Sequence, residues 1–197
     1  MFSNLLLISW RIFKKDRIFS LIHILGLALG IVCCLFIYLY VRDELQYDRF
    51  NENYERIGYV GTSILRENEE NHYSLASRTA GEFIRGKYPE IQKQSIVQKW
   101  KPTVLFENKY FNQDIMIFAE PEFLDIFTIN MLEGNPAATF SEPFQIIISQ
   151  KLRERYFKNR EAIGQSLTVN DTLQLQIAGV MEDLPHNSGI KTEAIVS

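Results

Sequence analysis

Between Ile18 and Val41 the chain runs 24 residues without a single charged side chain. Only Ser20, His23, Gly26 and Gly30 in that run fall outside the hydrophobic set. As a helix rising about 1.5 Å per residue it would be about 36 Å long, enough to cross a hydrocarbon core about 30 Å thick. The run is longer than the core of a secretory signal, and Tyr38-Leu39-Tyr40-Val41 makes a poor cleavage site. A transmembrane helix over 18–41 is the reading the sequence supports.

The charges fall on either side of this run with opposite sign. Residues 1–17 carry Arg11, Lys14, Lys15 and Arg17 against Asp16, a net of +3, and residues 42–197 carry a net of −6. Positive charge on the N-terminal flank predicts a cytoplasmic N-terminus and an extracytoplasmic remainder. The apolar residues mixed with the cations over 1–17 predict an amphipathic helix on the inner lipid surface, with membrane lipid as its partner. Within the span, Gly26 and Gly30 form a GxxxG strip on which a second helix can pack. Cys33 and Cys34 extend this small-residue surface, and two cysteines inside an apolar run are no disulfide framework. The 14 Phe and 9 Tyr exclude a disordered chain. The only dense basic cluster abuts the span, so nucleic acid is not an expected partner.

Helical spacing continues beyond Val41. Tyr47, Phe50, Tyr54 and Ile57 recur at three, four and three residues, and no Pro or Gly interrupts 42–57. The spacing predicts a stalk helix over 42–57 with those four residues as its packing seam, either continuous with the span or bent near Tyr47. Residues 58–197 then mix strands and helices without regular βαβ alternation, an α+β extracytoplasmic domain. Strands are expected over 57–65, 95–107, 110–119, 129–132, 144–148, 165–169 and 173–180. Residues 67–71 read as a polar loop. A helix is expected over 75–88 with Ser74 as its cap, and a short one at Phe123, Leu124 and Phe127. A third, over 150–157, is capped by Ser149 and basic on its outer face. The turns fall at Asn108-Lys109 and at Asn170-Asp171-Thr172.

No set of residues nominates catalysis. His72 and His186 have no ligands at metal spacing, and no nucleophile motif or phosphate loop is present. Glu182-Asp183 reads as a solvated pair, Asn170-Asp-Thr172 as a chance glycosylation match, and Lys99-Trp100-Lys101 as ordinary strand alternation. The chain is expected to be no enzyme, with no metal and no cofactor of its own.

Several strings, in order, carry a resemblance. They are Asn4-Leu-Leu-Leu-Ile-Ser-Trp-Arg11, Gly26-Leu-Ala-Leu-Gly30-Ile31, Asp43-Glu44-Leu45 and Tyr47-Asp48-Arg49-Phe50. Further on come Tyr88-Pro89-Glu90-Ile91, Leu132-Glu133-Gly134-Asn135-Pro136, Ile148-Ser149-Gln150-Lys151-Leu152, Ile163-Gly164-Gln165 and Leu184-Pro185-His186-Asn187-Ser188. Together they resemble MacB-type, FtsX-like ABC transporter permeases of the Bacteroidetes kind, over nearly the whole chain. Asn51 departs from the pattern, where such sequences often show His, and Gly58-Tyr59 replaces a usual Tyr-Arg. The resemblance implies a subunit of a homodimer or permease pair driven by a cytoplasmic ABC ATPase, with ATP bound only by that ATPase. A periplasmic adaptor is a further implied partner, and the bacterial inner membrane, with the main domain in the periplasm, is the implied location. It also implies that motion passes mechanically through the stalk to the outer domain, in export, efflux, lipoprotein extraction or another envelope process. Such permeases are about twice this length or more and carry four spans, so the resemblance implies a truncated frame or fragment. A single-pass anchored binding or sensor module is the alternative that the residues leave open.

Overall fold

The computed structural model describes residues 11, 14–66, 69–112, 114–135, 140, 142–158 and 160–197. The expected interfacial helix falls mostly on residues outside these. The chain divides into two compact units, one ending at Tyr47 and the other Asp48–Ser197.

The first unit holds helix α1, Arg17–Leu45, whose 29 residues correspond to about 44 Å of helix. None of its residues is buried within the chain. It is the one helix among the described residues long and apolar enough to cross a membrane.

The helix expected over 42–57 does not form. α1 ends at Leu45, turns occupy 46–50, and only a three-residue 3-10 helix, Tyr54–Arg56, follows. The reason is a competition for backbone donors. Gln46 and Tyr47 still reach back three residues, to the carbonyls of Asp43 and Glu44. The Asp48 amide, which would continue the ladder to Glu44, instead donates to the Asn187 carbonyl at 2.9 Å. Asp48 takes φ +56°, a left-handed conformation that Asp tolerates better than most residues but no helix accommodates. Tyr47, Phe50, Tyr54 and Ile57 therefore line no common helical seam. Tyr47 and Tyr54 are exposed and Phe50 and Ile57 half-buried.

The second unit is built on a nine-stranded mixed sheet. Its strands are β3 (Val97–Trp100), β4 (Val104–Phe106), β5 (Lys109–Phe111), β6 (Met116–Ala119), β7 (Met131–Glu133), β8 (Gln145–Ser149), β9 (Ser166–Val169), β10 (Leu173–Met181) and β11 (Ala194–Val196). They lie in the order β3-β6-β11-β8-β10-β9-β4-β5, with β7 pairing the far end of β10. Two pairs are parallel, β6 with β11 and β8 with β10; the others are antiparallel. A separate antiparallel ribbon, β1 (Thr62–Arg66) and β2 (Glu69–Tyr73), stands outside this sheet.

Alternation along the central strands gives the sheet two apolar faces. Ile146 and Ile148 of β8 join Leu152, Tyr156 and Phe157 of helix α4 (Gln150–Phe157) in one cluster. Ile147 points the other way, to Ile117, Ile195 and Phe123 of helix α3 (Phe123–Ile126) in a second. β8 and β11 are buried on both faces, which explains the unbroken apolar runs Ile146-Ile147-Ile148 and Ala194-Ile195-Val196.

The α+β class stands, and most elements fall where the sequence places them. α4 has the expected bounds, and Ser149 Oγ accepts the Leu152 amide at 3.1 Å. The β9–β10 turn places Asn170 and Asp171 at positive φ. Other expectations need correction. The strand expected over 95–107 is broken by buried Pro102, which has no amide to give a neighbour, and its halves pair with different partners, β6 and β9. The β4–β5 turn is centred on Glu107 and Asn108, both at positive φ, one residue earlier than expected. The second helix, α2, is only Arg78–Ile84, capped by Ser77, which accepts the Ala80 amide, and not by Ser74. Residues 57–61 are not strand, and residues 69–71 of the expected loop lie in β2.

Candidate functional site

Two constellations in the second unit bring together residues distant in sequence. The first ties down its opening residues. Asp48 accepts the Gly189 amide on Oδ1 at 2.7 Å while its own amide bonds Asn187. Asn51 is only 2% exposed and works at both ends of its amide group. Nδ2 donates to the Asp48 carbonyl at 3.0 Å, and Oδ1 accepts the Thr128 amide at 3.0 Å. Thr128 Oγ1 accepts the Glu52 amide at 2.9 Å. A Cβ on Gly189 would lie 2.6 Å from Asp48 Oδ2, so any larger residue would displace the Asp48 carboxylate that accepts its amide. Asn51, a departure from the family pattern in the sequence, is thus a buried fixture, whereas the Tyr59 ring of the other departure is exposed.

The second constellation is a charge cluster at one end of the sheet. Asp114, in the loop before β6, is 1% exposed and receives hydrogen bonds from Arg155 Nη1 and Tyr156 OH. Arg155 also reaches Glu193 at 3.4 Å, and Lys151 Nζ lies 3.2 Å from Glu193. Burial raises the Asp114 carboxyl above its usual range, against the pull of the Tyr156 hydroxyl and the Arg155 cation. Burial also works to raise Glu193, but Asp114, Lys151 and Arg155 together bring it below its usual range. Of the two carboxyls, Asp114 is therefore the one that holds a proton more readily. Burial, and then the Asp114 carboxyl, push the Tyr156 phenol far up. The backbone closes the cluster: Glu193 N donates to Ile115 O at 2.7 Å, and Ser149 N to Glu193 O at 2.8 Å.

A cleft of about 650 Å3 opens beside Tyr110, Asp114, Arg155 and Glu193, and another of about 450 Å3 lies across the Lys151–Glu193 pair. The cluster's charged groups bond one another, so it clamps β6, α4 and β11 together. The basic face of α4 is balanced in the same way, with Lys151 on Glu193, Arg153 on Glu133 and Arg155 on Asp114.

The residues named from sequence are scattered by comparison. Gly26 and Gly30 lie one turn apart on α1, and a Cβ on either meets nothing within 4 Å. The Glu182-Asp183 pair has structural work instead of solvation alone. Asp183 accepts the Lys151 amide at the start of α4, and Glu182 accepts Asn130 Nδ2. His72 Nδ1 lies 2.8 Å from Ser63 Oγ across the ribbon. Trp100 of the Lys99-Trp100-Lys101 string stacks on Phe118 at 4.7 Å. Among the described residues no group of His, Cys, Asp or Glu is arranged to hold a metal. Asp114, Arg155 and Glu193 gave no sequence signal, because positions so far apart meet only through the sheet. Asn51 stands out in the sequence only as a departure from the family pattern that reads as tolerated variation, and nothing there marks it as buried.

Comparison with known proteins agrees with this architecture. The family model of the MacB-like periplasmic core domain matches residues 20–197. No curated protein matches the chain. A domain of a putative permease protein from Porphyromonas gingivalis shares the fold at 23% identity and a TM-score of 0.58, over 69% of this chain and 59% of that one. The periplasmic region of MacB from Actinobacillus actinomycetemcomitans aligns at 13% identity and a TM-score of 0.46, over 59% of this chain and 52% of that one. The extracellular domain of the noncanonic ABC-type transporter YknZ from Gram-positive bacteria aligns at 15% and 0.47, over 61% and 62%. The match therefore spans a little over half of each of these chains. The chain belongs to the MacB-like periplasmic core domain family, found in permease-type proteins of ABC transporters. The apolar α1 ahead of such a domain fits a membrane-anchored protein with an extracytoplasmic domain.

Proposed function

We propose that the chain is the N-terminal part of an ABC transporter permease subunit that passes motion from a cytoplasmic ATPase to an extracytoplasmic domain. The N-terminus lies in the cytoplasm and the sheet domain in the periplasm, in keeping with the +3 charge ahead of the span. The chain has no chemistry of its own; ATP is bound by the separate ATPase subunit. A second permease subunit packs against the Gly26–Gly30 strip, and a periplasmic adaptor completes the assembly for export, efflux or another envelope process.

One observation carries the mechanical part. Only Gln46 and Tyr47 separate the last residue of α1 from Asp48, whose amide already bonds the sheet domain through Asn187. A two-residue connection leaves little slack in which motion could be lost. The alternative, an anchored binding module, is less well supported, because the charged groups beside the larger cleft are engaged with one another. The test is isolation of the tagged full-length protein from its native membranes. Co-purification of an ABC ATPase, with ATP-dependent change in hydrogen exchange of the sheet domain, is the expected result. Inserting six Gly/Ser residues between Gln46 and Tyr47 should abolish that change while ATP hydrolysis continues. Isolation without any ATPase, or an undiminished response after the insertion, would refute the proposal.

A further inference from the structure

The covalent route from α1 into the main sheet is long. After Leu45 the chain runs through residues 46–96, including the separate ribbon and α2, before its first strand in the nine-stranded sheet begins at Val97. Residues 52–56 and 58–65 are all exposed, and so are those of β2. A pull on residue 46 carried only along this path would be absorbed by loosely held chain.

We infer that Asp48 and Asn51 form a joint that bypasses this path and delivers displacement directly to β11 and β7. The inference rests on the mechanical reading above and names the residues that perform it. The first route passes from Asp48 to Asn187 and Gly189. That loop is braced within itself: Ser188 Oγ donates to the Ile190 carbonyl at 3.0 Å and accepts its amide at 3.2 Å. It continues into Thr192, whose hydroxyl lies 3.0 Å from the Ile115 carbonyl and 2.7 Å from that of Ala194, the first residue of β11. β11 lies between β6 and β8, so this route ends at the centre of the sheet. The second route passes from Asn51 to Thr128 and, three residues on, to β7. It too is braced, because Asn130 accepts the Glu182 amide at 2.8 Å and donates Nδ2 to the Glu182 carboxylate at 3.0 Å. Two short, hydrogen-bonded segments thus leave one anchor and enter the sheet at two strands. Left-handed Asp48 turns the chain into the anchor, and the missing Cβ of Gly189 leaves the Asp48 carboxylate undisturbed there.

The test uses the full chain in lipid nanodiscs and reads backbone hydrogen exchange by mass spectrometry. Asn51→Ala removes both bonds of the amide group. Exchange over 128–133 and 187–196 should rise about tenfold, as expected for a buried pair of hydrogen bonds, while β9 stays protected. Asp48→Asn keeps the Oδ1 acceptor and tolerates the left-handed backbone, so it should exchange like the wild type. Should Asn51→Ala not fold, Thr128→Val, which removes only the acceptor for the Glu52 amide, should raise exchange at Glu52 and over 128–133 but not over 187–196. Unchanged exchange in these segments, or an equal rise in β9, would overturn the joint. The Gly/Ser insertion leaves the joint intact and should not alter this pattern. Loss of ATP coupling there and loss of protection here therefore report on different claims.

Discussion

Replacing Tyr156 by Phe removes one oxygen from the centre of the charge cluster and little else. The ring keeps its neighbours, with the Phe111 centroid 4.3 Å away and that of Phe106 6.0 Å away. What disappears is a hydrogen bond from a buried hydroxyl to the nearly inaccessible carboxyl of Asp114. A hydrogen bond to a charged group contributes about 1.5–3 kcal/mol, so the expected loss is about 2 kcal/mol. For a domain of this size that lowers the melting temperature by about 4–8 °C. The loss should depend on pH, with a definite sign. The Tyr156 hydroxyl favours the ionised form of Asp114 and so opposes the upward push of burial. Its contribution is present at pH above the raised Asp114 pKa and is lost as pH falls through it. Thermal melts of full-length wild type and Tyr156→Phe should differ most at about pH 8 and converge as pH falls through the raised Asp114 pKa. Asp114 itself acts in the opposite sense. Its folded pKa lies above the unfolded value, so the stability it provides is present at low pH and is lost as pH rises through the folded value. A difference below about 0.5 kcal/mol, or one equal at both pH values, would refute the assignment of this bond.

Two further outcomes are expected. Gly134, at φ +91°, would place a Cβ 2.5 Å from the Ala178 carbonyl oxygen, so Gly134→Ala should cost about 1–3 kcal/mol; a melt like that of the wild type would show that β7 does not pack on β10 as described. Replacing Gly26 and Gly30 together with Leu should weaken helix association in a membrane reporter assay while leaving insertion intact, and unchanged association would mean that the strip faces lipid.

The elements legible in the sequence were those set by local chemistry. The uncharged run predicted α1, Ser149 and the pattern after it bounded α4, and Asn170-Asp171 marked the β9–β10 hairpin, because caps and left-handed turns depend on neighbouring residues. The order of short strings carried the family for the same reason. The stalk was misread because its spacing was helical while its backbone donors were not available: Asn187, 139 positions further on, holds the amide of Asp48. The single strand expected over 95–107 divides into β3 and β4 because Pro102 interrupts it and each half then pairs with a different strand, β6 or β9.

The candidate sites divide in the same way. Gly26, Gly30 and the departure at Asn51 could be seen in the sequence as residues, but neither Thr128 nor Gly189 could be assigned as a partner of the joint. Asp114, Arg155, Tyr156 and Glu193 were invisible as a group, since one buried carboxyl among many exposed ones has no mark in the chain. The sequence by itself determined the span, the sign of the charge on either side of it, the α+β class and the family, all consequences of composition and local pattern. Only the tertiary structure decided where the helix ends and which carboxyl is buried. Both depend on which distant groups compete for a single hydrogen-bond donor or exclude water from a single side chain.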